Sequence, residues 1–242
     1  MSIPLDSLGL DLLGLLRRMD LRAALVQRAE EEAIAALLPP DADWLAQERE
    51  RFADGQPLQS LLDARGWSDD DLTLHLWRPE ALRRFSAARF GPGLEERFLA
   101  EKEGRDQVVY SILRVRDPGL ARELWIRIEE GETSFTEAVA QYSEGPEALH
   151  KGVIGPVAIG VLQPPVLADW LRRLRPGEIR PPAPIADWHV MLRLEQLSPA
   201  RFDQAMRDTL LRELLEAWLQ TRVQQRLAGV EPEPLRLEAA AA

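Results

Sequence analysis

The sequence predicts an α+β protein: an all-α N-terminal domain completed by a C-terminal helix, and between them a domain with a small four-stranded, mainly antiparallel sheet flanked by helices. Three observations predict it. From Leu5 to about Arg105 apolar residues recur at helical spacing, with no strand-like alternation of useful length. At Gln107 the character changes to the β-rich run Val108 to Val115. From Pro199 to about Leu227 a long amphipathic stretch follows that cannot bury its stripe on so small a sheet alone. The expected division is 1–105 for the helical domain, 106–197 for the sheet domain, 198–230 for a C-terminal helix packing back on the helical domain, and 231–242 for a flexible tail.

In the helical region breaks fall at Asp20, Pro39-Pro40, Gly55-Gln56-Pro57, Gly66, Pro79 and Gly91-Pro92-Gly93. Leu21, Leu25, Val26, Ala29, Ala33 and Leu37 are expected to face the core, as are Trp44, Phe52, Leu94, Phe98 and Leu99. Ser68 ahead of Asp69-Asp70-Asp71 reads as an N-cap with carboxylates complementing the helix dipole. It does not read as a cation site, because consecutive residues at a helix start point in different directions. In the sheet domain Asp117-Pro118 opens a helix through Leu120, Leu124, Trp125 and Ile128 that stops at Gly131, and a second runs from about Phe135 to Tyr142. Glycines and prolines then punctuate the chain from Gly145 to Pro165. Val166 to Leu174 reads as a third helix, with Ile179 to Pro181 and Trp188 to Leu194 as strands. In the last strand Trp188, Val190, Leu192 and Leu194 share one face, and His189, Met191 and Arg193 the other. Phe202, Met206, Leu210, Leu214, Trp218 and Val223 form the expected stripe of the closing helix.

Composition excludes several functions. In 242 residues, 30 Lys+Arg against 40 Asp+Glu give a net charge of −10, and the cations are interspersed with carboxylates, so there is no basic patch for nucleic acid. No apolar run approaches the roughly 20 residues of a membrane span. Without cysteine there is no disulfide, thiol nucleophile or Cys-ligated metal, and the three histidines, His75, His150 and His189, lack metal-ligand spacing. No metal and no cofactor is implied. Leu12 to Leu16 is apolar, but Asp6 and Asp11 stand where a signal peptide carries positive charge, so the expected compartment is the cytoplasm.

Four segments in order carry a resemblance. Phe135-Thr136-Glu137-Ala138-Val139-Ala140-Gln141-Tyr142-Ser143 resembles the F-x-x-L-A-x-x-Y-S segment of parvulin-type peptidyl-prolyl isomerases. Lys151-Gly152-Val153-Ile154-Gly155 resembles their G-G-x-L-G segment, and Leu174 to Ile179 their L-x-x-G-E-I/V segment. Trp188-His189-Val190-Met191-Leu192-Arg193-Leu194-Glu195 resembles their final G-x-H-I-I-x-L-x strand. The likeness spans about Val108 to Gln196. A helical N-terminal region joined to a C-terminal helix around such a domain is similar to the SurA-like and PrsA-like isomerase chaperones.

The resemblance implies an apolar slot for a proline ring, formed by Leu162, Val166 and Leu171 with Ile154, above a polar network in which His189 falls on the final-strand histidine. The first-strand histidine of the family corresponds to Ser111, which could still hydrogen-bond His189 in a shorter, uncharged network, and the family's Cys/Asp position falls on Gly145. Taken on their own, His189 reads as a structural or edge histidine, Ser111 as a small space-filling residue, and the leucines and valine as core. Two functions are therefore carried forward. One is a peptidyl-prolyl cis–trans isomerase and folding chaperone acting on Xaa-Pro segments of a client polypeptide. The other is a parvulin-like chaperone or adaptor that binds polypeptide without isomerase activity, with one of the two family histidines missing. A structural subunit of a larger assembly is a third possibility and predicts an exposed apolar patch on the N-terminal helices. No nucleic acid or membrane insertion is expected, and the oligomeric state is open.

Overall fold

The computed structural model describes residues 11–237; the Leu5 start of the helical run, Asp6 and the terminal alanines lie outside the described residues. In chain order the first helices are α1 (Leu12–Arg18), α2 (Arg22–Leu37), α3 (Ala42–Ala53), α4 (Leu58–Arg65), α5 (Asp69–Phe90) and α6 (Leu94–Arg105). They are followed by β1 (Gln107–Val115), α7 (Pro118–Glu129), α8 (Phe135–Tyr142), β2 (Val153–Ala158), α9 (Val166–Arg173), β3 (Ile179–Ile185), β4 (Trp188–Ser198) and α10 (Gln204–Leu227). The fold is α+β as predicted, with the expected element order in the sheet domain. Two compact units divide the chain: residues up to Leu94 together with Asp203 onward, and Glu95–Phe202.

The helical unit is built on α2, α5 and α10, with Ile34, Phe85, Leu215 and Leu219 in one cluster and Ala35, Trp77 and Ala81 in another. Ser86 Oγ donates to the carbonyl of Leu211 at 2.7 Å, so even the polar residue of this interface is paired. The predicted stripe of α2 is rotated. Leu21, Leu25 and Leu37 are exposed, and the buried positions are Glu30, Ile34 and Ala35. The reason is an ion pair. Glu30 Oε2 accepts from Arg222 Nε and Oε1 from Arg226 Nε, each at 2.6 Å, and this buried carboxylate turns α2 toward α10. The stripe of α10 is likewise shifted by a residue, to Leu211, Leu215, Leu219 and Arg222, beside the expected Leu210 and Val223. Leu99, expected in the core, is 62% exposed, whereas Leu94 and Phe98 are buried.

Pro79, expected to break a helix, lies inside α5. The helix survives the missing N–H because Leu72, Trp77, Ala81 and Phe85 on either side are buried. At its start Ser68 forms a capping box with Asp71, whose carboxyl is held below its ordinary value by hydrogen bonds from the Ser68 backbone and hydroxyl. The segment expected as a frayed tail is docked from 231 to 237. Pro232 is buried, Leu235 packs on the Phe85 cluster, and the Glu233 carbonyl accepts from Arg222 Nη1 at 2.7 Å.

In the sheet unit α6 groups with the strands. Gly160 approaches so closely that a Cβ there would meet the Gly104 carbonyl oxygen at 2.8 Å, and Arg172 donates to the Glu103 carbonyl at 3.2 Å. The sheet has the order β2-β1-β4-β3, with every neighbour antiparallel. Tyr110 pairs with Leu194, Ser111 with Arg193 and Val115 with His189, while the ladder shifts between Val109, opposite Gln196, and Tyr110. Glu195 is thus an extra residue on β4, a bulge. One face of the sheet carries Val108, Tyr110, Ile112, Val190, Leu192 and Leu194 against α9. The other carries Leu113, Val115 and Met191 against Ala121 and Leu124 of α7 and Phe135, Ala138 and Val139 of α8.

Candidate active site

On the α9 face the sheet leaves a cleft of about 110 Å³ lined by Tyr110, Ile112, Arg114, Ile154, Gln163, Pro164, Leu167, Ile185, Trp188 and Val190. Four elements place these residues. Period-2 alternation turns Tyr110, Ile112 and Arg114 of β1 to the cleft, and Trp188 and Val190 of β4 beside them. Trp188 is steadied by Arg116, whose guanidinium carbon lies 4.8 Å from its ring centroid. β2 brings Ile154 in because glycines flank it. Gly152 and Gly155 have φ of +81° and +117°, and a Cβ on them would meet the carbonyl oxygens of Ile112 at 2.8 Å and Val108 at 2.5 Å.

The walls are apolar and the polar exceptions are specific. Arg114 Nε donates to Glu147 Oε1 at 2.9 Å, and its Nη2 stands 2.8 Å from Oε2. Ser143 Oγ donates to the same Oε1 at 2.6 Å and accepts from the Arg114 backbone N–H at 3.1 Å. Glu147 sits in a 3₁₀ turn, Pro146–His150, whose backbone is fixed by Gly152 N–H donating to the Glu147 carbonyl at 2.9 Å. The side chain of Glu147 is 2% exposed and that of Arg114 is 28% exposed, so the carboxylate is interior and the guanidinium reaches the cleft. Among the described residues Nη1 of Arg114 makes no hydrogen bond. The Tyr110 hydroxyl makes none either; burial pushes its pKa up, outweighing the opposing charge of Arg114, with Glu147 adding a smaller push, so it stays protonated at neutral pH.

The residues expected at the site are divided by this geometry. Ile154 lines the cleft; Leu162 and Leu171 lie in the core cluster beneath it, and Val166 on α9 is half-buried while its neighbour Leu167 faces the cleft. Ser111 and His189 do not meet. They sit four pairs apart on the ladder, about 13 Å along the strands, and both face α7 and α8, away from the cleft. Ser111 is fully buried and its hydroxyl donates to Glu195, the bulge residue, whose Oε1 also accepts from Arg193 Nε at 2.8 Å. His189 Nδ1 lies 3.2 Å from the Arg116 carbonyl, and the ring borders a shallow groove with Pro118, Arg122, Trp125, Pro181 and Pro182. The expected Ser111–His189 hydrogen bond is therefore corrected: alternation places both on the core side. His75 is packed with Phe52 and Trp67, at 6.0 and 4.8 Å between centroids, and His150 closes the 3₁₀ turn.

Sequence reasoning missed Tyr110, Arg114 and Glu147. A signal was present: Arg114 is the only charged residue in the apolar run Val108 to Val115, and a charge inside a buried strand needs a partner. Chemically the cleft can hold a small apolar ring out of water and aim a phenol and a guanidinium at whatever is attached to it.

Residues 119–196 match the family model described as rotamase, PPIC-type PPIase domain. Among solved structures, the peptidylprolyl isomerase PrsA of Bacillus anthracis is similar at 14% identity, covering 87% of this chain and 100% of that one, with a TM-score of 0.45. PrsA of Bacillus cereus is similar at 15% identity over 93% of this chain and 89% of that one, with a TM-score of 0.46. A SurA-like chaperone from Campylobacter jejuni is similar at 16% identity over 80% of this chain and 81% of that one, with a TM-score of 0.37. No curated protein matches the chain.

Proposed function

We propose that the chain accelerates cis–trans rotation about Xaa-Pro bonds of client polypeptides and that the cleft between β1, β4 and α9 receives the proline, a reading supported by the match of residues 119–196 to the PPIC-type peptidyl-prolyl isomerase family model. The uncatalysed rotation faces a barrier of about 18–20 kcal/mol and takes tens of seconds or longer. No bond is broken, so no nucleophile is needed. What lowers the barrier is a grip on the ring, exclusion of water from the amide, and polar groups placed for the twisted state.

The cleft's size and lining carry this reading. An apolar cavity of about 150 Å³ accommodates benzene, so a space of about 110 Å³ walled by Ile112, Ile154, Pro164, Leu167, Ile185 and Val190 is scaled for a five-membered ring. The client chain on either side of the ring remains at the open mouth, beside Trp188 and Gln163. Clients are expected to be unphosphorylated, because the connection after β1 is the short Arg116-Asp117-Pro118-Gly119 with no basic cluster. The cytoplasm is the proposed compartment, supported by the acidic residues ahead of the Leu12–Leu16 patch; cell fractionation tests it, and recovery in a secreted or envelope fraction would contradict it.

A second reading, a polypeptide-binding module without catalysis, is favoured by one observation: Ser111 and His189 form no network. NMR exchange spectroscopy on a panel of Xaa-Pro peptides separates the two. The isomerase reading expects faster cis–trans exchange together with shifts at Ile154, Leu167 and Trp188. Shifts without acceleration would establish the binding module instead.

A further inference from the structure

The cleft contains a cation with one edge uncommitted. The guanidinium of Arg114 donates through Nε to Glu147 Oε1, its Nη2 lies 2.8 Å from Oε2 as an ion-pair contact, and Nη1 has no hydrogen-bond partner among the described residues. Its plane is over-determined. Glu147 is held by Ser143, Ser143 by the backbone of Arg114 itself, and the Glu144 N–H donates to the Arg114 carbonyl at 3.0 Å. Gly145 completes the arrangement. A Cβ there would lie 2.2 Å from Glu147 Oε2 and 2.6 Å from Arg114 Nε, so the ion pair occupies the space that any side chain at 145 would need.

A planar amide delocalises the nitrogen lone pair onto oxygen. Turning the bond toward the perpendicular returns that pair to nitrogen and makes the oxygen more ketone-like. A donor at the prolyl nitrogen therefore binds the twisted state more tightly than either planar isomer, whereas a donor at the oxygen does the reverse. Such a donor works best when it is pre-oriented, always protonated and surrounded by apolar groups. Gln163 is exposed on the loop ahead of α9, and the Tyr110 hydroxyl both donates and accepts and rotates freely. Arg114 donates only.

Resting on the reading of this domain as an isomerase, we propose that Arg114 is its catalytic residue, donating from its free edge to the nitrogen of the twisted Xaa-Pro amide, with Glu147 and Ser143 as positioning residues. No proton is transferred and no covalent bond changes; the hydrogen bond strengthens as the lone pair localises and relaxes when planarity returns. The Arg114–Glu147 pair is neutral overall, which suits an uncharged amide and offers no requirement for an acidic residue next to proline.

The experiment is exchange spectroscopy on one Xaa-Pro peptide, with its affinity read separately by titration, for the parent protein, Arg114→Met and Glu147→Gln. Arg114→Met keeps the stem that lines the cleft and should lower the exchange rate at saturation by about 100-fold, the modest end for loss of a transition-state donor, while affinity changes less than about twofold. Glu147→Gln leaves Arg114 in place and should cost about five- to tenfold in rate at unchanged affinity. Should Arg114→Met fail to fold, Glu147→Gln and Arg114→Lys, which keeps a charge without the planar fork and should not restore the rate, decide the matter. An accelerating parent whose rate survives Arg114→Met, or falls only in step with affinity, overturns this assignment alone. A parent that binds but does not accelerate overturns the isomerase reading and the assignment together.

Discussion

Among the described residues the two buried carboxylates, Glu30 and Glu147, are both paired with arginine, and they differ in what the arginine has left over. In the helical unit Glu30 takes Arg222 and Arg226, and the outer edges of both guanidiniums are occupied by the segment after α10: Arg222 Nη1 donates to the Glu233 carbonyl at 2.7 Å, and Arg226 Nη1 to Glu231 at 2.9 Å. Arg222 also lies under Trp218, 4.9 Å from its centroid. In the sheet unit Glu147 takes a single arginine, and Arg114, which lines the cleft, keeps Nη1 without a hydrogen bond among the described residues. The chemistry of the two pairs is alike, and the number of donors remaining separates a clamp from a tool. A closed cluster can hold elements together and nothing more, whereas an open one retains a directional donor that its own carboxylate keeps in place.

The contrast can be broken in four ways. The largest effect is expected from Glu30→Ala, which leaves the 6%-exposed Arg222 side chain without its charge partner. The helical unit should lose about 3–5 kcal/mol of unfolding free energy, read by urea denaturation, while exchange catalysis in the folded protein is unchanged. A loss below about 1 kcal/mol, the range of a surface pair, would show that the cluster is not a clamp. Next is Gly145→Ala, which forces a methyl into the space of the Arg114–Glu147 pair. It should reduce exchange about tenfold through loss of donor alignment and the sheet unit's stability by only about 1–3 kcal/mol. A large loss of stability with normal catalysis would reverse the roles assigned to the two clusters.

Acid sharpens the comparison further. Burial pushes the Glu30 carboxyl up, but hydrogen bonds from Arg226 and Arg222, with their charges, outweigh it and leave its pKa below the ordinary 4.5. A lowered folded value means the stabilisation is fully present above the unfolded value and is lost as pH falls through the folded one. The helical unit's melting temperature should therefore hold steady down to about pH 4.5 and fall below it. Glu80 on the same unit, brought down to about 2 by its hydrogen bond from Arg83 and by Arg84, should begin to give up its share at about pH 4.5 and have lost it near that lower value. A melting temperature that rises on acidification would contradict both. The smallest effect is expected from His189→Ala: exchange should change by less than about twofold, whereas a loss of the hundredfold order typical of an acid–base residue would return the histidine to the site.

Much of this architecture was legible because amphipathic periods and turn residues are local. Asp117-Pro118, Ser134 before Phe135, and the paired glycines of Gly152 to Gly155 announce their elements without help from the rest of the chain. The alternation in β4 was also legible, and it already separated His189 from Trp188 and Val190. Which face carries the cleft was not, because that depends on where α9 packs. The burial of Glu30 was hidden for a related reason: a charge on a helix reads as solvent-facing until its partners, nearly two hundred residues away, are brought to it. The same distance conceals the tail, whose ordering comes from Arg222 and Arg226 and not from its own composition.

The bulge at Glu195 has a consequence for how this chain can change over generations. Strands are read in steps of two, so one extra residue on β4 shifts the phase of everything after it, and Leu197 instead of Gln196 joins the cluster that holds Val108. Deleting Glu195 would keep Leu197 on the Val108 face, two residues after Leu194, but would remove the bulge and leave the buried Ser111 hydroxyl without its acceptor in one event. A deletion of the same size in the loop between α7 and α8 would alter only a turn. Insertions and deletions in homologous chains should accordingly gather in the loops and spare the stretch from Arg193 to Ser198, so that length conservation there, more than identity, marks the shared register.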